Sequence, residues 1–340
     1  MKKTLIALAA LSVAGLASAQ VSITGSISTA YQSNLGLPKD GVAQPKLSGL
    51  AMTDNTINVS ASEDLGNGMK FAASMTLEND AGRGTGFTRA DQSLSLTTPV
   101  GLLSFRNTRS GGNQGAALIA PANLADDQWS SAVITRQQID VLSVAIPVND
   151  SISVVLSYIE AGNKDAVATA PLDAAAAKIA TAPAGAGGAV TPGNISYVGT
   201  AKYSGNGLSV TGQFVSTTFA DNYLAGLKLA AGGKDVQTTS YDLSAIYDAG
   251  FAKLGFGYDS SRRGKTDADK AAMLFGASVP LGAITVGANY GSRDEANFLQ
   301  LAAQYDLSKR TNANVSWGQD KQGAGKDTNS QYRISLNHSF

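Results

Sequence analysis

The 340-residue chain contains no cysteine and a single histidine. Disulfide frameworks, thiolate nucleophiles and thiolate metal sites are therefore excluded. Zinc needs His or Cys ligands in numbers that are absent. A Ser-His-Asp triad would have to use His338, two residues from the C-terminus. Neither sign of charge dominates, with 26 basic residues against 26 acidic ones, which sets nucleic acid aside as a partner. Beyond residue 20 no run approaches the ~18 consecutive apolar residues of a membrane helix. No motif for a cofactor stands out. Gly82-Arg83-Gly84-Thr85-Gly86 resembles a phosphate loop only faintly, because no helix follows it.

What is present begins with an export signal. Lys2 and Lys3 precede a largely apolar run from Leu5 to Leu16, and Ala17-Ser18-Ala19 supplies a small-x-small cleavage pattern. That run is too short to cross ~30 Å of hydrocarbon as a helix. The expectation is a cleaved signal peptide over 1–19 and one domain over 20–340, with 321 residues and a net charge of −2.

Within that domain, segment after segment alternates apolar and polar residues. Val21, Ile23 and Ile27 alternate with Ser22, Thr24, Ser26 and Ser28; Ile284, Val286, Ala288 and Tyr290 alternate with Thr285, Gly287 and Asn289. Period two places one kind of residue on each face of a strand. A soluble sandwich shows the same alternation, so the connectors decide. Short turns such as Gly205-Asn206-Gly207 and Pro280-Leu281-Gly282 alternate with longer polar loops, the asymmetry of outer-membrane barrels. Sixteen segments begin near residues 21, 54, 69, 89, 102, 132, 150, 195, 208, 239, 251, 272, 283, 297, 312 and 331. In lipid every backbone polar group needs an internal partner, which leaves helices and closed barrels. The fold class read from the sequence is an all-β, transmembrane, 16-stranded antiparallel barrel.

Tyr31, Tyr158, Tyr203, Tyr247, Tyr258, Tyr290, Tyr305, Trp317 and Tyr332 sit near strand ends and read as aromatic girdles. The Ala-, Gly- and Pro-rich stretch Ala161 to Asn194 reads as an external loop with a short helix over Leu172 to Ala180.

Three blocks carry a family resemblance: Ser62-Glu63-Asp64-Leu65-Gly66-Asn67-Gly68-Met69-Lys70, Tyr305-Asp306-Leu307-Ser308-Lys309-Arg310-Thr311, and the terminal Asn337-His338-Ser339-Phe340. Together they resemble the Gram-negative general porins of β-proteobacterial type. The resemblance implies a homotrimer in the outer membrane, in contact with its lipids and lipopolysaccharide. It implies passive diffusion of small hydrophilic solutes and ions, and a third external loop, here Ser110 to Ser131, folded inward. It also implies that Phe340 is the signal read by the barrel-assembly machinery. The loop lacks the family's Pro-Glu-Phe-Gly-Gly type sequence and carries Asp126 and Asp127 instead.

Alternation places Arg89, Arg106 and Arg136 on inward registers beside that loop, and Arg89 and Arg136 also match arginine positions in the family. Their guanidinium groups stay charged and would line a constriction, with Asp126 and Asp127 opposite and a mild preference for anions. Lys202, Lys253 and Arg333 read as lumen charges. A substrate-specific channel is a near alternative. A barrel adhesin or enzyme is a further one, but no clustered nucleophile and base is visible. Barrel closure should put Gln20 and Phe340 on adjacent strands, their amine and carboxylate forming an ion pair at the rim.

A cysteine-free barrel closed by its own backbone should be indifferent to reducing agent. Unheated, it should migrate away from its boiled position on a detergent gel; identical mobility before and after boiling would indicate a soluble monomer.

Overall fold

A computed structural model describes residues 20–33, 48–79, 88–110, 113–121, 133, 137–163, 192–219, 236–260, 271–323, 325 and 328–340. The signal segment, Gly82 to Gly86, Asp126, Asp127, Arg136 and most of the stretch from Ala161 to Asn194 lie outside the described residues.

Period-two alternation becomes sixteen strands: β1 (Gln20–Ser33), β2 (Ser48–Gly66), β3 (Met69–Asn79), β4 (Thr88–Thr98), β5 (Gly101–Ser110), β6 (Gln137–Pro147), β7 (Ile152–Asn163), β8 (Pro192–Gly205), β9 (Leu208–Phe219), β10 (Val236–Asp248), β11 (Lys253–Asp259), β12 (Ala272–Leu281), β13 (Ile284–Arg293), β14 (Ala296–Asp306), β15 (Thr311–Gln322) and β16 (Thr328–Ser339). Each pairs with the next in chain order, and β1 closes on β16 to form a barrel without edges. The largest departures from the expected starts are β2, at Ser48 rather than 54, and β6, at Gln137 rather than 132.

The register sorts the two faces as alternation requires. Val21 is 66% exposed and Leu254 57%, and such residues recur around the whole outer wall. An apolar surface of that extent is a lipid-facing band rather than a wetted one. All nine predicted girdle aromatics share the outward register. Tyr203, Tyr247 and Tyr305 stand near the short-turn end, and the others nearer the long-loop end. Tyr31 and Tyr332 stack across the closing seam with ring centroids 6.1 Å apart.

Turn chemistry holds the short end together. Asn206 and Gly207 both adopt positive φ, 53° and 74°, the primed hairpin geometry that Asn-Gly favours. One connection at the opposite end breaks the expected asymmetry. Asp294 and Glu295 alone join β13 to β14, where a longer loop was anticipated.

Three register shifts escape a strand-by-strand reading, one of them leaving Leu65 as an extra residue of β2 at the first short turn, between Asp64 and Gly66. Between Ser26 and Ser28, β2 carries an extra residue, and the Ser28 N–H donates to Asn55 Oδ1 at 2.9 Å instead of to a ladder carbonyl. Between Met75 and Leu77 the extra residue lies in β4.

Closure also corrects the rim expectation. Gly25, not Gln20, meets the C-terminus: Phe340 N donates to Gly25 O at 3.0 Å, and Gly25 N donates to Phe340 O at 3.1 Å. Five residues of extended chain separate Gln20 from that point, about 17 Å at ~3.3 Å per residue, so the anticipated ion pair has no geometry to form. The Phe340 ring instead covers Gly25, where an added Cβ would meet the Thr56 carbonyl oxygen and lie 2.7 Å from Phe340 Cζ. Gly25→Val should therefore strain the β1–β2 ladder and displace the ring, at an overpacking cost of about 1–3 kcal/mol. The expected result is a lower yield of the heat-resistant form, as also for deletion of Phe340. Normal yield from both variants would dissociate the ring from assembly.

Candidate functional site

The inner wall is lined with short polar side chains that hydrogen-bond across neighbouring strands. Ser26 meets Thr56 at 3.0 Å, and Ser74–Ser93, Ser104–Ser143 and Ser196–Thr217 each meet at 2.8 Å. Each such pair contributes about 0.2–1 kcal/mol to the sheet while presenting hydroxyls to the lumen. Sixteen strands are too many for side chains alone to fill the interior, so an aqueous bore remains.

The segment after β5 narrows that bore. A 3₁₀ turn, η1 (Asn113–Ala117), lies inside the barrel against β10, β11 and β12. Ala117, Leu118 and Val133 bury themselves with Ala272, Leu274, Ala296 and Phe298, all on inward registers of β12 and β14. The loop thus packs on the wall opposite the strands from which it departs.

Polar groups latch both legs of the loop to that wall. On the outgoing leg, Gln114 Nε2 donates to Asp259 Oδ2 at 3.4 Å, and Ala120 N donates to Asn289 Oδ1 at 3.1 Å. Asn289 Nδ2 in turn donates to Gln300 Oε1 at 3.0 Å. On the returning leg, Arg293 Nε donates to Val133 O at 3.1 Å. Arg293 also forms a buried ion pair with Asp259, and Asp242 is buried opposite Asp259 on β10. One guanidinium therefore ties together the returning leg and, through Asp259, the outgoing leg.

Of the predicted charges, Arg106 lies on the inward register of β5. Its register partner is Ser93, whose hydroxyl meets Ser74 inside the lumen, and it is exposed there with no ion-pair partner among the described residues. It lies on β5, across the ring from the wall that carries the loop. Arg89 is different. Its backbone pairs with Leu77 across the β4 bulge, so alternation counted along β4 alone does not fix its face. Lys253 faces inward and pairs with Asp248 at 3.0 Å. Arg333 donates to Gln32, at 2.8 Å from Nε and 3.1 Å from Nη2, once the Gln32 amide is oriented to accept. His338 hydrogen-bonds Thr311 at 3.0 Å, outside the lumen register, and among the described residues touches no side-chain carboxylate that would make a relay.

Sequence reasoning missed Arg293, Asp259, Asn289 and Gln114. Their contacts to or from the loop span 145 to 169 residues along the chain. The available signal was a pair of charges, Asp259 and Arg293, on the polar registers of β11 and β13, which the topology joins through β12.

Comparison with known proteins agrees with this architecture. A family model described as Gram-negative porin matches residues 4–325. Among solved structures, a multiply substituted Rhodopseudomonas blastica porin superposes with a TM-score of 0.60 at 15% identity, covering 94% of this chain and 100% of its own. A loop-deletion variant of OmpT, an outer membrane protein of Vibrio cholerae, gives 0.62 at 11% identity, with 95% and 99% covered. No curated protein matches the sequence.

Replacing Arg293 by Met would leave Asp259 buried without its cationic partner, a loss of about 3–5 kcal/mol. The folded band on an unheated gel should convert at a lower temperature. Lys253→Met, which breaks the exposed pair, should leave that temperature essentially unchanged; equal effects of the two would refute the latch.

Proposed function

Because the chain belongs to the Gram-negative porin family, and is thus an outer-membrane channel protein rather than an enzyme, we propose that it passes small hydrophilic solutes and ions by passive diffusion, with a mild preference for anions. The observation that carries this reading is the seated loop facing an exposed Arg106, unpaired among the described residues, across a hydroxyl-lined bore. At such a constriction a fixed charge acts over a short, poorly screened distance, whereas charges beyond ~8 Å are screened at physiological salt. On the opposite wall Arg293 is paired with Asp259 and Lys253 with Asp248.

Arg89, Arg136, Asp126 and Asp127 belong to the same proposed constriction, the arginines beside Arg106 and the aspartates facing them. Residues 1–19 are proposed to direct export and to be removed. Assembly as a homotrimer is proposed as well. The outward faces of β2 to β6 carry Leu50, Met52, Phe71, Leu94, Phe105 and Leu142 among the described residues but no Tyr or Trp. A girdle interrupted over those strands suits a wall that meets another copy rather than headgroups. The remaining circumference, where the aromatics stand, suits membrane lipid and lipopolysaccharide, and the exposed Phe340 suits the assembly machinery.

Planar-bilayer recording under a salt gradient tests the reading. The parent should insert in triplet steps, with a zero-current potential of anion-selective sign. Arg106→Ala should move that potential toward cations with a smaller change in conductance. If the triple Arg89, Arg106 and Arg136 alanine variant keeps the parental potential, none of the three lines the constriction.

A further inference from the structure

Four glycines on β11, β12 and β13 lie directly beneath the inward loop. Gly255 and Gly276 are register partners, and the Ala117 carbonyl oxygen sits over the pair where either Cβ would be. At Gly276 an added Cβ would also come within 2.9 Å of Ile119 N. One step along β11, the Gln114 carbonyl occupies the same space above Gly257. On β13 a Cβ at Gly287 would meet Ala277 O of the adjoining strand at 2.6 Å, and the loop at Pro121 Cδ, 2.8 Å, and Ala120 Cα, 2.9 Å. Asn289, which holds Ala120 N, is the register partner of Gly276 and completes the patch.

Backbone conformation does not explain these glycines. None of the four has the positive φ that marks Gly66, Gly68, Gly207, Gly250 and Gly282 in the turns. Glycine weakens a strand interior by its entropy and by having nothing to pack, so ordinary strand φ values favour a larger residue here. Gly199 and Gly212 show the contrast: also within strands, they have nothing within 4 Å of where a Cβ would stand. What sets the four apart is the loop backbone pressed against each of them. An atom added there needs about 3.5 Å from its neighbours, and at Gly255, Gly257 and Gly276 the nearest atoms in its way are loop carbonyl oxygens, which cannot swing aside as a side chain does.

We propose that Gly255, Gly257, Gly276 and Gly287 form a side-chain-free seat that fixes how close the inward loop lies to the wall, and so sets the bore of the channel. The proposal rests on the diffusion-channel reading above. The arginines determine which charge is favoured at the narrowest point. The glycines, as positioning residues, determine how much room is left there. Bulk at the seat lifts the loop toward β5 and Arg106, and the bore shrinks with each carbon added.

Single-channel recording of Gly255→Ala, Gly276→Ala and Gly276→Val tests this, with Gly212→Val as the control on an open outward face. Each variant is first shown to be folded by its heat-dependent gel mobility. The expected result is a graded loss of conductance, larger for valine than for alanine at position 276. Smaller neutral polymers should also be excluded, while the control conducts like the parent. Should Gly276→Val fail to fold, the two alanine variants decide. Parental conductance in both folded alanine variants would overturn the seat. A rise in conductance would overturn it too, since added bulk would then be releasing the loop rather than lifting it. A parent that gives no conductance steps would instead sink the channel reading, and this inference with it.

Discussion

The closed hydrogen-bond ladder is the constraint on which the rest depends. A strand in hydrocarbon cannot leave an N–H or C=O without a partner, because no water is present to take one. A sheet of sixteen strands therefore has to return to its first strand, and the β1–β16 pairing with the Gly25–Phe340 bonds completes that return. Once closed, period two does the remaining sorting. The same alternation that puts Leu254 in lipid puts Lys253 and Gly255 in the lumen. Even the irregularities obey the rule: at the β2 bulge, Asn55 supplies the acceptor that the ladder withholds from Ser28.

Closure creates a second problem, a bore too wide for its own side chains. The loop after β5 addresses it, but a loop drawn inside loses hydration on the face it buries. Each backbone group then needs a protein partner, and the far wall supplies them: Asn289 for Ala120 N–H and Arg293 for the Val133 carbonyl. A buried guanidinium is costly to desolvate unless a carboxylate and further acceptors surround it. Asp259 and the Val133 carbonyl meet that requirement. The wall that holds the loop thus keeps its guanidinium buried and paired, and the wall facing it carries the exposed Arg106.

How far this was legible in the sequence follows from the range of each interaction. Strand positions came through because alternation is local: Ile284 to Tyr290 carries its own evidence for β13. The face of Arg106 came through for the same reason, since no bulge intervenes between Ser95 and Arg106 along β4 and β5. Alternation alone could not fix the face of Arg89, because the bulge depends on how β3 and β4 meet, and neither strand records that alone. The two-residue link at Asp294 and Glu295 was hidden by an expectation taken from the other connections. The latch was out of reach, because Gln114 and Asp259 are strangers until a closed barrel brings β11 to face the loop.

The glycine patch stands between these cases. Its residues recur on the polar register, as Gly255 and Gly257 in β11, Gly276 in β12 and Gly287 in β13, so the pattern was present in the sequence. Read locally, such glycines count against a strand. They make sense only when the occupant of the missing space is known, and that occupant leaves the barrel wall more than a hundred residues earlier in the chain. A local weakness on one face of a sheet is in this fold the complement of a remote segment. The pore's width is then a property of two surfaces, one defined by what the loop contains and the other by what the wall omits.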